Sequence, residues 1–238
     1  MKSVRHLVLA VCFLYGNIGL AGALLQTSSG AEAERAETAL VLKIAAYSRQ
    51  HAIVKAALTL PVNVDDAEDH KDSMGAPTAL FWAAHEGSAK IVRLLAAAGA
   101  NVNLPNRGPA RCIPTIHGST IPPRTGHLGE IGYTPLFAAA VRGHLAAVKA
   151  LVTLGANVNG ANEHVERLGA PAYAGYTPLH GAVLGGKEEV VAFLLEQDAD
   201  IGSMTPDKKT PVRLAREEGR TSIADLLRAK ANELMGLD

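Results

Sequence analysis

The stretch from Tyr133 to Asn159 reads Tyr-Thr-Pro-Leu-Phe-Ala-Ala-Ala-Val-Arg-Gly-His-Leu-Ala-Ala-Val-Lys-Ala-Leu-Val-Thr-Leu-Gly-Ala-Asn-Val-Asn, and it predicts two short helices joined by a tight turn. Thr134 is suited to cap the first helix, and Pro135 follows at the first helical position, where a missing N–H is tolerated. Gly143 is expected to break the chain between the helices, because glycine adopts positive φ without strain. The second helix carries its apolar residues at helical spacing, at Leu145, Val148, Leu151 and Val152. A unit this small cannot bury that face alone, so it requires neighbours.

Three further units follow the same pattern. The threonines that open the four units are separated by 56, 43 and 33 residues, and they are Thr78, Thr134, Thr177 and Thr210. A glycine stands nine residues after each threonine, at Gly87, Gly143, Gly186 and Gly219. The shortest spacing equals the period of one well-known helical repeat. The chain is therefore predicted to be an array of two-helix units.

The most regular segments of this array resemble the ankyrin-repeat family. They are Thr177-Pro178-Leu179-His180, Gly99-Ala100-Asn101-Val102-Asn103 and Gly155-Ala156-Asn157-Val158-Asn159. The resemblance implies an all-α fold, an ankyrin-repeat solenoid of stacked helix-turn-helix units with extended finger loops. It covers residues 38–232 in about five repeats, with 233–238 left as a C-terminal tail.

The first and last repeats are expected to act as caps, because a terminal repeat has one face toward solvent. In the first repeat, Leu40 replaces the capping threonine, Arg49 the mid-repeat glycine and Pro61 the second glycine. In the last repeat, Arg228 stands where Leu195 stands one repeat earlier.

The N-terminal residues have the layout of a secretory signal peptide over 1–23, followed over 24–37 by a linker that passes into a helix. A basic start with Lys2 and Arg5 precedes a short apolar run, and Ala21-Gly22-Ala23 offers a small-residue cleavage site. The alternative is a membrane anchor over residues 7–25, which is near the length that a bilayer requires. Cleavage predicts an exported protein, periplasmic or extracellular, with no membrane segment.

Composition narrows the function classes. The whole chain is formally neutral, and removal of residues 1–23 would leave a charge of −2, so a nucleic-acid partner is not expected. The mature chain would keep Cys112 alone, which permits no internal disulfide. Stability is then expected to come from repeat stacking in a monomer.

Three insertions fall at the finger turns between repeats, at residues 66–75, 104–131 and 160–174. The longest holds five prolines and four glycines, which disfavour both helix and sheet. Loops of this length are usually functional or disordered. In the ankyrin family the fingers and first helices line a concave face that binds partners, so this insertion is expected to overhang that face. The alternative is a tolerated surface insertion, since loop closure costs little entropy.

Signals for chemistry are weak. Cys112, His117 and His127 lie in the long insertion, but their Cys-x4-His-x9-His spacing matches none of the strong zinc patterns. No phosphate-binding loop, zinc-protease motif or nucleophile elbow is present. We therefore expect no enzyme activity, no metal and no cofactor. His144 and His180 fall on repeat positions where family histidines make structural hydrogen bonds.

The resemblance also implies which residues meet a protein partner. By position, these are the residues before each mid-repeat glycine and the residue before each threonine. The arginines of the long insertion join them, because that insertion is expected to overhang the concave face. They are His85, Glu86, Tyr133, Val141, Arg142, Tyr176, Leu184, Glu217, Glu218, Arg107, Arg111 and Arg124. Tyr133 and Tyr176 suit a binding hot spot, although tyrosines at these positions also pack on the neighbouring finger.

Three functions remain open at this stage. The first is an exported, non-enzymatic module that binds a protein partner through the concave face and the 104–131 loop. The second is a secreted, effector-like protein that acts on proteins of another organism. The third is a metal-dependent or thiol protein that uses Cys112, His117 and His127.

Overall fold

A computed structural model of the chain describes residues 31–67, 77–107, 132–163 and 173–236. Within these ranges the secondary structure is entirely helical, and ten helices follow one another as five antiparallel pairs. The pairs are α1 (Ala31–Tyr47) with α2 (His51–Ala57), α3 (Ala79–His85) with α4 (Ala89–Ala97), α5 (Pro135–Arg142) with α6 (Leu145–Thr153), α7 (Pro178–Leu184) with α8 (Glu188–Glu196), and α9 (Pro211–Glu217) with α10 (Thr221–Met235).

The helix pairs stack in two layers. Each first helix packs on the first helix of the next pair, in the order α1, α3, α5, α7 and α9, and the second helices form a parallel layer in the same order. One continuous hydrophobic core runs through the stack. The expected fold class, an ankyrin-type solenoid, is confirmed by this arrangement.

The threonines begin the first helices as expected. Thr78 and Thr134 have extended backbones, and their hydroxyl oxygens accept from the backbone N–H of Phe81 and Phe137 at 3.1 Å. Thr210 makes a longer bond of the same kind, and Pro follows the threonine in three of the four repeats. This geometry fixes where each first helix starts.

Small residues at the turns bring neighbouring repeats into close contact. Gly87 has φ of +77°, and the ring of His144 from the next repeat lies so near that a Cβ on Gly87 would stand 2.5 Å from its Cγ. Gly185 has ordinary helical φ, but a Cβ there would stand 2.1 Å from the carbonyl oxygen of Val141. The packing of α7 on α5 therefore depends on the missing side chain.

The first and last helices of the array extend into the segments on either side of the predicted repeats. Helix α1 begins at Ala31, inside the predicted linker, and α10 continues to Met235, inside the predicted tail. No repeat is predicted before α1 or after α10, so the sequence has no further repeat to mark where α1 starts or where α10 ends. The predicted signal peptide, residues 24–30, residues 237 and 238, and the interiors of the three insertions lie outside the described residues.

The finger turns are tied together by asparagine and aspartate side chains. The backbone N–H of Asn101 donates to Asp65, that of Asn157 to Asn103, and that of Asp200 to Asn159, all at 2.8–3.1 Å. Each bond joins one repeat to the next, so the Asn-x-Asn motif has a structural role.

Candidate binding surface

The C-terminal ends of the first helices lie side by side and form a surface that we call the first-helix face. Its accessible members are Tyr47, Glu86, Val141, Arg142, Leu184, Glu217 and Glu218, and His85 lies at the equivalent end of α3. Val141 and Leu184 are half-buried against the core, whereas Arg142, Glu217 and Glu218 are exposed. The face therefore offers apolar surface in the middle of the stack and charged groups on both sides.

Two of the predicted contact residues are buried. His85 is 4% exposed, and its ring packs on Phe81 and Trp82. Tyr133 is 5% exposed, and its ring packs on Phe137 and Tyr173. Position within the repeat indicated which face these residues approach, but their large rings fill gaps in the core. The expectation that their side chains meet a partner is therefore corrected.

Glu86 is the centre of a charge cluster that spans three repeats. Its carboxylate lies 2.8 Å from Nδ1 of His85, 3.6 Å from Arg49 and 3.9 Å from Arg142. Burial alone would raise the pKa of Glu86, but the hydrogen bond from His85 and the charges of His85, Arg142 and Arg49 hold that pKa below its usual value. Because an ionised carboxylate only accepts hydrogen bonds, the proton lies on Nδ1 of His85.

The same two arginines influence the neighbouring histidine. Burial lowers the pKa of His144, and the positive charges of Arg142 and Arg49 lower it further. His144 is therefore a neutral packing residue at pH 7, consistent with its contact with Gly87.

The other repeat histidine joins two repeats by hydrogen bonds. Nδ1 of His180 accepts from the backbone N–H of Thr177 at 3.3 Å and lies 2.9 Å from its hydroxyl. Nε2 of His180 then donates to the carbonyl of Lys209 at 3.3 Å. Burial lowers the pKa of His180, which keeps the ring neutral, as this pattern requires. The predicted structural role of His180 is what the structure shows.

At the C-terminal end of the face, acidic groups are partly neutralised. Glu217 accepts from Lys209 at 2.7 Å and from Arg213 at 2.9 Å, and these two bonds lower the pKa of Glu217. The bonds from Lys209 to Glu217 and Asp207 raise the pKa of Lys209. Glu218 is exposed beside them.

Tyr176 lies at the finger edge of the face. Its ring is half-buried, 5.1 Å from the ring of Tyr173 and 5.5 Å from that of His180. Burial and the charge of Asp207 raise the pKa of its hydroxyl. Part of this ring is open to a partner, in contrast to Tyr133.

The long insertion is closed at its base. The backbone N–H of Asn106 donates to the carbonyl of Tyr133 at 2.8 Å, and the N–H of Gly132 donates to the carbonyl of Asn106 at 2.6 Å. The next finger joins this pair, since the N–H of Glu163 donates to Gly132 at 2.9 Å. Both ends of the insertion are thus held beside the start of α5.

Of the three arginines of the insertion, the structure describes Arg107. Arg107 is exposed, and its guanidinium lies 3.9 Å from the carboxylate of Glu163. Arg111 and Arg124 lie outside the described residues, as do Cys112, His117 and His127. Within the described ranges, no group of His, Cys, Asp and Glu is arranged to hold a metal ion.

Sequence reasoning missed one charged residue that lies beside the first-helix face. Arg49 counted only as a departure from the repeat glycine, yet it holds φ of +58° and directs its side chain toward Glu86. The signal available in the sequence was the retained register: Arg49 occupies the turn position at which Gly87 and Gly143 stand in the next repeats.

A stack of helix pairs with finger turns defines the class of helical repeat solenoids. The family model "Ankyrin repeats (3 copies)" matches residues 7–106 and 117–205, and the chain therefore belongs to the ankyrin-repeat family. Residues 107–116, in the long insertion, interrupt the match, and the helix pair α9 and α10 lies beyond it. The match begins inside the predicted signal peptide.

Three curated proteins are similar to this chain over part of their length. The Potassium channel AKT1 of Arabidopsis thaliana is 34% identical over 117 residues, which is 49% of this chain and 12% of the channel. The Probable E3 ubiquitin-protein ligase XBOS31 of Oryza sativa subsp. japonica is 34% identical over 42% of this chain and 21% of the ligase. The Nuclear factor NF-kappa-B p105 subunit of Gallus gallus is 28% identical over 79% of this chain and 16% of that protein.

The matched stretches thus span about a fifth or less of these relatives. Ankyrin repeats are protein–protein interaction modules, and the family is typically non-enzymatic. Among the described helices, none is both long and apolar enough to cross a membrane.

Proposed function

We propose that this chain is a non-enzymatic module that binds a protein partner through the first-helix face together with the 104–131 loop. The observation that carries the proposal is the closure of the long insertion by Asn106, Gly132 and Tyr133. These bonds fix both ends of the loop at the finger edge, next to α5. A partner seated on the first-helix face would then lie within reach of the loop.

The first-helix face has the composition of a transient interface. Half-buried Val141 and Leu184 supply apolar contact, and the exposed Arg142 and Glu218 supply polar surroundings. An apolar centre with a polar rim is the usual anatomy of such interfaces.

Deletion of residues 108–126 tests the role of the loop. We expect helicity and the unfolding temperature to change little, because the bonds at Asn106 and Gly132 remain, while binding of a partner recovered by pull-down weakens. Deletion of residues 164–172 in the shorter insertion is the matched control and is expected to leave binding unchanged. If the 108–126 deletion unfolds the protein, the loop is structural and its assignment to binding fails.

A further inference from the structure

We propose that Arg49 and Arg142 form a receptor for an acidic side chain of the protein partner, with the apolar surface of Val141 and Leu184 receiving the next residues. This inference rests on the proposed function and adds the chemistry of the partner. It follows from the position of the two arginines around Glu86, from their exposed positive charge and from the apolar surface beside Arg142.

The two guanidinium groups converge on one point. Arg49 comes from the turn between α1 and α2, and Arg142 from the last position of α5, yet both lie within 4 Å of the same carboxylate, that of Glu86. Their distances of 3.6 and 3.9 Å exceed hydrogen-bond length, so Glu86 attracts both without saturating their N–H donors. The strong bond to Glu86 is the one from His85, at 2.8 Å.

The cluster keeps a positive excess at the surface. Two arginines face one carboxylate, so at least one positive charge is not neutralised within the cluster. The arginines are accessible, with 57% and 42% of their side chains exposed, whereas Glu86 lies beneath them with 17% exposed. A group that approaches from solvent therefore meets the arginines first. Guanidinium groups are suited to bind carboxylates through two parallel hydrogen bonds.

The surface next to Arg142 is apolar. Val141 precedes Arg142 on α5. Leu184 ends α7 at the equivalent position and Gly185 follows it, and the missing side chain of Gly185 brings the two helices together. Neighbouring helices lie ~8–10 Å apart. An extended peptide, which rises ~3.3 Å per residue, would place an apolar side chain on this surface about three residues from its acidic one.

The experiment is a selection from a random twelve-residue peptide display library on the immobilised full chain. We expect enrichment of peptides with Asp or Glu about three residues from an apolar residue. For one such peptide, made with a fluorescent label, the double variant Arg49→Gln with Arg142→Gln should bind at least about tenfold more weakly, by loss of charged hydrogen bonds. Binding to the original chain should weaken with added salt.

The double variant Lys90→Gln with Arg93→Gln is the control, because both residues are exposed on α4 in the second layer and the pair also loses two positive charges. Its peptide binding should match that of the original chain, and circular dichroism should show equal helicity in all variants. Enriched peptides without acidic residues, or equal binding by the double glutamine variant, would overturn the arginine receptor while the binding function stands. Absence of any enriched peptide would also overturn the arginine receptor. The pull-down with the loop deletion would then test the proposed function independently.

Discussion

Single residues at the turns carry most of what could be read from the sequence. Thr134 was expected to cap a helix, and its hydroxyl accepts the cap hydrogen bond at 3.1 Å. Gly143 was expected to end that helix, and it does so with φ of +81°. Such positions can be predicted from the sequence, because one residue type is energetically favoured there by the local backbone geometry. Burial of a side chain depends instead on the neighbouring repeats. The repeat pattern gives the positions of His85 and Tyr133, but it does not show that their rings pack into the core.

Asp198 is a residue at which the sequence departs from the favoured type. It follows α8 with φ of +57°, where Gly99 and Gly155 follow α4 and α6 with φ of +95° and +86°. Because a side chain is strained in this region, we expect Asp198→Gly to stabilise the protein by about 0.5–1 kcal/mol. Urea unfolding followed by circular dichroism measures the change.

Gly155→Ala is the reciprocal variant for that measurement. A Cβ on Gly155 would meet no atom within 4 Å, so any cost arises from the backbone alone. We expect this variant to destabilise the protein by about 1 kcal/mol. Equal stability of both variants and the original chain would show that positive φ costs little at these turns.

At the scale of elements, repetition made the helices predictable where copies exist. The four threonine-led units became α3 to α10, in order and in pairs. Helix α1 begins within the segment 24–37, and α10 continues past residue 232, so the repeat pattern alone does not give the outer limits of these two helices. The departures of the first repeat at Leu40, Arg49 and Pro61 did not prevent α1 and α2 from pairing.

The second-layer helix α6 provides the test of stacking as the source of stability. Leu151 is 0% exposed and lies between neighbouring repeats, so Leu151→Asp would bury a charge without a partner. We expect a loss of about 3–5 kcal/mol, enough to unfold the central repeats. Leu154→Asp is the control on the same helix end, since Leu154 is 37% exposed and should tolerate the charge. Circular dichroism at increasing urea compares the unfolding midpoints of the two variants. Similar midpoints would contradict the idea that packing of α6 between its neighbours stabilises the stack.

At the scale of the whole molecule, two patterns overlap at the N-terminus. The basic start, the apolar run and Ala21-Gly22-Ala23 predict a leader, but the family match already begins at residue 7. Helix α1 adds a physical argument. Seven of the nine residues from Thr38 to Ala46 on this helix are buried, whereas α9, the first helix of the last pair, buries only Pro211, Leu214 and Ala215. A first helix buried on this scale resembles an internal helix of the stack more than a cap.

The leader pattern remains our prediction for export: the mature chain should begin at Leu24 and be recovered outside the cytoplasm. N-terminal sequencing and intact mass of the protein, after fractionation of the producing cells, measure both points. Since cleavage requires that residues 24–238 fold unaided, this shortened chain should also unfold at the same temperature as the full chain. The contrary result is a full-length protein in the cytosolic fraction together with a lower unfolding temperature when residues 1–23 are deleted. That pair of results would make the apolar run part of the repeat core, where its leucines would cover α1, and the binding module would then act inside the cell.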